Sequence, residues 1–298
     1  MLDLRLPFRP PLDAPALLAW LGARAVPGVE EVADDAYRRS LRLPHGAGVA
    51  ELSFAPGAVR CRLWLDDERD ADPAVERCRR LVDLDADPGA VALHLGSDPL
   101  IGPLVAAAPG LRLPGAVDGA ELAVRAVLGQ QVSVAAARTA AGRLAAEHGD
   151  AVGHPRGGVT TVFPSPAVLA ALDPAALPMP RARADALVGL CRALADGDLS
   201  VEAGADRAQT RRALLALSGI GPWTAGYVAM RALGDPDVFL GEDLGVRRAL
   251  AALGGPSDLV EARAVAAAWA PWRSYASQHL WQAPVRPGSQ VHRGMSLS

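Results

Sequence analysis

The chain of 298 residues contains no lysine, and all 30 of its basic residues are arginine. That absence removes the side-chain amine that could form a Schiff base, so imine chemistry at a lysine is excluded. Cysteine is scarce as well. Cys61, Cys78 and Cys191 lie far apart, in an odd number and without a Cys-x-x-Cys, which argues against a disulfide framework and against a zinc or iron–sulfur centre. The six histidines make no His-Glu-x-x-His or comparable metal spacing. No apolar run approaches membrane-spanning length, and the opening MLDLRLP lacks a basic stretch followed by a hydrophobic one. The expectation is a soluble chain that is not exported, works in the cytoplasm and stays off membranes. Aromatic residues are only 4% of the total, so where they gather is informative.

Half of the residues are hydrophobic, enough to bury a substantial core in two or three domains. Strand-like alternation over 3–7, 38–43, 49–54 and 59–65, around turns at His45-Gly46 and Pro56-Gly57, predicts an antiparallel sheet. Helical patterns over 14–26, capped by Asp13, and over 73–84 complete an α+β N-terminal domain spanning 1–94. Trp20, Tyr37 and Trp64 within it are most simply core residues. From about residue 97 the pattern becomes wholly helical, with 109–115 a connection and 148–161 a loop. Helices are predicted over 118–128, 132–147, 181–195, 210–217 and 244–253, and one starts at Ser165-Pro166. Residues 283–298, rich in Pro, Gly and Ser, read as a flexible tail.

The most informative stretch is Leu217-Ser218-Gly219-Ile220-Gly221-Pro222-Trp223-Thr224. It ends one apolar-periodic helix, turns through two glycines, and starts a second helix at Pro222, where no N–H is needed. This is a helix-hairpin-helix, reaching over about 214–232. Glycine at both corners lets the backbone adopt positive φ, and unpaired amides at the start of the second helix can hold a phosphate without basic side chains. Such a grip suits double-stranded DNA despite a net charge of −3, which offers little non-specific attraction to phosphates.

Trp223 and Tyr227 are four residues apart and share one helix face. An aromatic stripe at that spacing is usually core. Here, however, six of the nine Trp and Tyr residues (Trp223, Tyr227, Trp269, Trp272, Tyr275 and Trp281) fall between 223 and 281. A pocket for an extruded base needs flat π surfaces above and below it. Asp243, 20 positions after Trp223, precedes an apolar-periodic helix and would ordinarily be its N-cap. Neighbouring Glu242 is assigned to the surface or to a supporting position.

A Gly-Ile-Gly hairpin, a Gly/Pro-containing loop at 234–237 and an Asp at this distance resemble the helix-hairpin-helix, Gly/Pro…Asp superfamily of DNA glycosylases. Segments 218–227, 237–243, 271–276 and 279–281, with 114–134, narrow the likeness to the AlkA-type 3-methyladenine DNA glycosylases. The resemblance runs from about residue 8 to 282. It implies that the helical part is an all-α core of two lobes, 95–118 with 236–282 forming one and 119–235 the other. Asp243 becomes the catalytic carboxylate, Trp223, Tyr227 and Trp281 line the base pocket, and Trp272 and Tyr275 support it. Amides of Gly219, Gly221 and Thr224 become phosphate contacts. Carbonyls of Leu215, Leu217 and Ile220 become ligands of a structural monovalent or divalent cation, while no cofactor is required for chemistry. Gln131 takes the position of the DNA wedge, where the family pattern has an apolar residue, and can fill the gap and hydrogen-bond the orphaned base.

The activity implied is hydrolysis of the N-glycosidic bond of alkylated bases, of the 3-methyladenine and 7-methylguanine type, by base flipping. The enzyme would be a monofunctional monomer acting in base excision repair beside the nucleoid, and would leave an abasic site. Trp223 stands where bifunctional relatives carry lysine, so strand cleavage is not expected. The alternatives are a glycosylase for deaminated or oxidised bases and a non-catalytic helix-hairpin-helix protein that binds damaged DNA.

Overall fold

A computed structural model describes residues 1–283; the expected tail lies almost wholly outside the described residues. Five strands, β1 (Leu2–Pro7), β2 (Glu30–Ala33), β3 (Ala36–Arg42), β4 (Ala47–Ala55) and β5 (Ala58–Leu65), form one antiparallel sheet in the order β1-β5-β4-β3-β2. Helix α1 (Ala14–Arg24) starts where the Asp13 carboxylate accepts the Ala16 N–H at 3.0 Å. With α2 (Ala71–Leu81) it covers one face of the sheet, burying Leu17, Trp20 and Leu21 against Tyr37, Leu41, Leu52 and Leu63. Strand β2 is an addition to the strands that the sequence pattern predicts. It is only four residues long, with two glutamates that a hydrophobic pattern does not register.

The helices α3 (Pro88–Leu95), α4 (Gly102–Ala107), α5 (Gly119–Leu128), α6 (Val134–His148), α7 (Pro166–Ala170), α8 (Arg181–Ala195) and α9 (Arg207–Ala216) follow. The last four are α10 (Pro222–Arg231), α11 (Leu244–Ala252), α12 (Leu259–Ala266) and α13 (Arg273–Gln282). They divide between two cores. One joins α5, α6, α8 and α10 through Val124, Val127, Leu144, Leu187, Leu190 and Val228. The other joins α3 and α4 to α11, α12 and α13 through Leu95, Ile101, Leu250, Trp269 and Leu280, with Met230 of α10. This second lobe takes in α3, so it begins before residue 95, because Val91 and Leu95 pack there rather than on the sheet. None of the described helices is long and apolar enough to cross a membrane.

The helical part is not all-α. Strands β6 (Asp150–Arg156) and β7 (Val159–Val162) form a hairpin where the sequence suggests a loop. Gly153, His154 and Pro155 hide its alternation, but Val152, Val159 and Val162 bury themselves on Val49 of the sheet. Ser40 Oγ donates to the Thr161 carbonyl at 2.8 Å, and the Thr160 and Thr161 amides donate to the Gly28 carbonyl at 2.8 and 2.9 Å. The hairpin therefore ties the N-terminal sheet to the helical core.

Two polar networks make that tie specific. Arg39 of β3 pairs with Glu30 at 3.0 Å and with Glu121 of α5 at 2.7 Å, while Arg125 of α5 pairs with the same two glutamates at 3.0 and 2.7 Å. All four charges find opposite partners, which is the condition for tolerating them in a buried site. At the other end, Asp83 Oδ2 accepts the Leu113 N–H and the Tyr275 hydroxyl, both at 2.9 Å, joining α2 to α13. Burial pushes the Asp83 carboxyl up to about 6, against the lowering pull of those two donors and of Arg112.

A folded-state pKa above the unfolded value favours the native state at low pH, and that contribution is lost as pH rises through about 6. Asp83→Asn keeps an oxygen for both donors and cannot ionise. Urea midpoints at pH 4.5 and 7.5 should show the wild type losing about 2 kcal/mol more than the variant across that interval.

Candidate active site

The hairpin between α9 and α10 positions everything at the site. Gly219 has φ 79°, and a Cβ there would fall 2.6 Å from the Ala186 Cβ, so the turn needs glycine for conformation and for close packing on α8. Gly221 differs from the expectation. Its φ is −97°, because it is the N-cap of α10 rather than a left-handed corner. Among the described residues, the amides of Gly219, Gly221 and Thr224 donate to no main-chain carbonyl outside regular elements. Gln130 Nε2 fastens the turn from the side, donating to the Gly219 carbonyl at 3.0 Å and to Thr224 Oγ1 at 2.9 Å.

Helix α10 then raises Trp223, Tyr227 and Arg231 on successive turns of one face. Trp223 and Tyr227 stack with ring centroids 5.3 Å apart and planes 11° from parallel, while Trp281 of α13 meets Tyr227 edge-on at 6.1 Å and 65°. A base cannot enter between rings already in stacking contact. The three aromatics therefore form one continuous wall and not the two faces of a sandwich.

Asp243 sits where Trp223 and Trp281 of that wall converge. As the N-cap of α11 it accepts the Gly245 and Val246 amides on Oδ1 at 2.8 and 3.0 Å. The same Oδ1 accepts the Trp281 indole N–H at 2.9 Å, and Oδ2 accepts the Trp223 indole N–H at 2.8 Å. Capping and site geometry thus coincide in one residue. Oδ1 is saturated by three donors, whereas Oδ2 has one and keeps a lone pair open.

The wall borders a cavity of roughly 1170 Å³, and the N-terminal domain supplies part of it. Trp20, expected as plain core, is buried but packs on Trp281 at 5.4 Å and lines the cavity. The Arg24 guanidinium lies 3.3 Å from the Trp20 ring centroid, and that of Arg231 lies 5.6 Å from both the Trp20 and Tyr227 rings. Burial brings Arg24 down to about 10, with Tyr227 opposing and Arg231 and Arg125 adding to the shift. Burial also resists ionisation of the Tyr227 phenol, but Arg231, Arg24 and Arg125 outweigh it and hold the phenol below its usual value. Neither arginine was singled out from sequence. Each contacts the site across a domain boundary or a helical turn that spacing alone does not mark as functional.

Gln131 stands at the rim, exposed, with φ 56°. Helix α6 begins only at Val134, capped by Ser133, two residues later than the expected start at Val132, so Gln131 and Val132 both project from the corner between α5 and α6. Val132, Val134 and Leu244, which line the same cavity, are exposed as well. Trp272 and Tyr275, expected to support the pocket, do not line the cavity. They pack edge-on at 5.6 Å, and Tyr275 bonds Asp83 rather than the wall. Glu242 pairs with Arg263.

Among the described residues and outside regular elements, the carbonyls of Leu215 and Ile220 accept no main-chain N–H, and that of Leu217 accepts Ile220 at 3.2 Å. Neutral oxygen donors of this kind fit a hard cation. No group of three or more His, Cys, Asp or Glu among the described residues could hold a metal ion.

Residues 3–118 match the AlkA N-terminal domain, and residues 124–273 match the HhH-GPD superfamily of base excision DNA repair proteins. A Mycobacterium tuberculosis protein named probable bifunctional transcriptional activator/DNA repair enzyme AlkA is 51% identical over 288 residues, or 97% of this chain and 58% of the relative. The chain thus spans a little over half the length of that relative. Escherichia coli DNA-3-methyladenine glycosylase 2 is 39% identical over 282 residues, 92% of this chain and 95% of that one. The solved structure of 3-methyladenine DNA glycosylase from Archaeoglobus fulgidus shares the fold at a TM-score of 0.79 and 20% identity, over 94% of this chain and 97% of that one.

The Gln130 clamp can be checked without any substrate. Gln130→Ala should cost about 1 kcal/mol of stability. It should also speed hydrogen exchange at the hairpin amides, 219–224, while leaving α8 unaffected.

Proposed function

The chain belongs to the helix-hairpin-helix Gly/Pro-Asp superfamily of base excision DNA repair proteins, with an AlkA-type N-terminal domain, and on that footing we propose that it is a monofunctional DNA glycosylase for alkylated bases. Its substrate is double-stranded DNA carrying lesions of the 3-methyladenine and 7-methylguanine type. The observation that carries the reading is Asp243, held by two indole N–H groups on the lining of an aromatic-walled cavity.

The amides of Gly219, Gly221 and Thr224 bind a phosphate of the damaged strand, and α10 presents its N-terminus to the same anion. The carbonyls of Leu215, Leu217 and Ile220 would hold a cation bridging hairpin and phosphate, with no part in bond breaking. Gln131 enters the duplex as the nucleotide leaves it, and its amide meets the orphaned partner. The extruded base lies against the Trp223–Tyr227–Trp281 wall, where an electron-poor ring gains stacking and cation–π attraction of about 1–2 kcal/mol per ring.

Heterolysis sends the C1′–N electron pair to the base, and positive charge develops at C1′ and the ring oxygen of the sugar. An ionised carboxylate beside that charge stabilises it. Water adds to C1′, its proton passes to Asp243 Oδ2, and free base and an abasic site result. An N-alkylated purine leaves as a neutral molecule, so no acid is required at the base. With no lysine in the chain, water is the nucleophile and the strand stays intact.

Asp243→Asn keeps the N-cap but sets its NH2 group against the Trp223 indole N–H, so it is paired with the Trp223→Phe, Asp243→Asn double variant. Both should bind 7-methylguanine duplexes and release base at least about 100-fold more slowly than wild type in single turnover. Wild-type rates in either variant, or strand scission before alkali, contradict the reading. Gln131→Ala should slow excision by about tenfold with melting temperature unchanged, as expected of an exposed residue that stabilises the flipped state.

A further inference from the structure

Two arginines that line the cavity, the buried Arg231 and the half-buried Arg24, have no ion-pair partner among the described residues. Arg39 and Arg125 are matched by Glu30 and Glu121, two charges against two. Arg24 and Arg231 pair with no carboxylate among the described residues. Arg231 is 5% exposed, its Nε has no partner, and its remaining bonds are long ones to the Tyr227 hydroxyl at 3.3 Å and the Gly115 carbonyl at 3.4 Å. Arg24 Nη1 reaches only the Trp20 carbonyl at 3.4 Å. Uncompensated buried charge is expensive, and two like charges around one indole are more so. Packing alone would be met as well by a neutral side chain.

Their placement along the cavity is ordered. Trp223, Tyr227 and Arg231 climb α10 one turn at a time, so Arg231 stands about 12 Å along the helix axis from Trp223. Trp223 holds Asp243 at the near end. The cavity lining therefore carries an anion at the Trp223 end of the aromatic wall and, two turns along α10, Arg231, with Arg24 meeting it on the Trp20 ring as a cationic floor.

We infer that Arg24 and Arg231 set an electrostatic gradient along the cavity that drives positive charge from the extruded base onto the sugar. This deepens the glycosylase reading and rests on it. Whatever charge the base begins with, cleavage makes it one unit more negative as the electron pair arrives, and makes the sugar correspondingly positive. A cationic floor beside the base and a carboxylate beside the sugar favour that transfer at both ends. An N-alkylated purine enters already cationic, so the floor repels it in the bound state and the repulsion disappears as the base becomes neutral. Such an interaction differs between ground and transition state, which is the condition for raising the rate of the chemical step. The wall attracts the cationic ring and the floor pushes its charge outward.

The test uses the whole chain and two measurements. Single-turnover base release is followed on a 7-methylguanine duplex, and affinity is measured on the same duplex with a 2′-fluorinated sugar that blocks cleavage. Arg24→Gln, which keeps hydrogen-bond donors without charge, and Arg231→Met should each slow release by roughly 10- to 50-fold. Affinity for the uncleavable lesion should be unchanged or tighter. Arg24→Lys should recover most of the rate. Arg24 is partly exposed, so its variants keep the test open if Arg231→Met does not fold. Wild-type rates in Arg24→Gln, or rate and affinity falling together with melting temperature, overturn the inference and leave the glycosylase reading standing. Failure of the wild type to release base overturns both.

Discussion

The structure depends on a carboxylate held fixed by four donors in a place where side chains are mostly aromatic. Asp243 meets that demand by spending Oδ1 on three donors and Oδ2 on one. The two amides come from the helix it caps, and the two indoles come from α10 and α13, which belong to different parts of the sequence. Its position is therefore a property of three elements at once. If any one shifted, a half-buried indole N–H or a helix-cap amide would lose its acceptor, a loss of about 1 kcal/mol for each bond.

The same requirement explains why a sheet domain is part of the site. Trp281 cannot be held by α13 alone, because Trp20 of α1 packs against its other side. The N-terminal domain is in turn locked to α5 by the Arg39, Glu30, Glu121 and Arg125 quartet and to α13 by Asp83 and Tyr275. A quartet of this kind adds little net stability over an apolar interface, but it permits one register of sheet against helix. That register delivers Trp20 and Arg24 to the cavity.

What sequence could disclose follows from how local each signal is. The hairpin, the caps at Asp13, Asp118, Ser165 and Asp243, and the strands flanking Pro56-Gly57 depend on neighbours a few residues away, and they stand where periodicity places them. Strand β2 and the β6–β7 hairpin escaped notice because their pairing partners, not their own alternation, make them strands. Asp243, Trp223, Tyr227 and Trp281 were legible through family resemblance, and the structure brings them together. Their arrangement as a wall was not legible, since ring orientation is decided by packing. Trp20, Arg24 and Arg231 had no signal of their own, because an indole on an amphipathic helix and an arginine one turn past a tyrosine look ordinary until the domains meet.

The central claim, that the Asp243 carboxylate faces a sugar acquiring positive charge, can be measured through abasic analogues that differ only in that charge. Affinities of the wild type and of Asp243→Asn are compared for duplexes bearing a pyrrolidine, cationic at neutral pH, or a neutral tetrahydrofuran at one site. The account predicts that the wild type prefers the cationic analogue by about 100-fold or more and that the variant loses the preference while still binding the neutral one. Equal affinity of the wild type for the two analogues would contradict it.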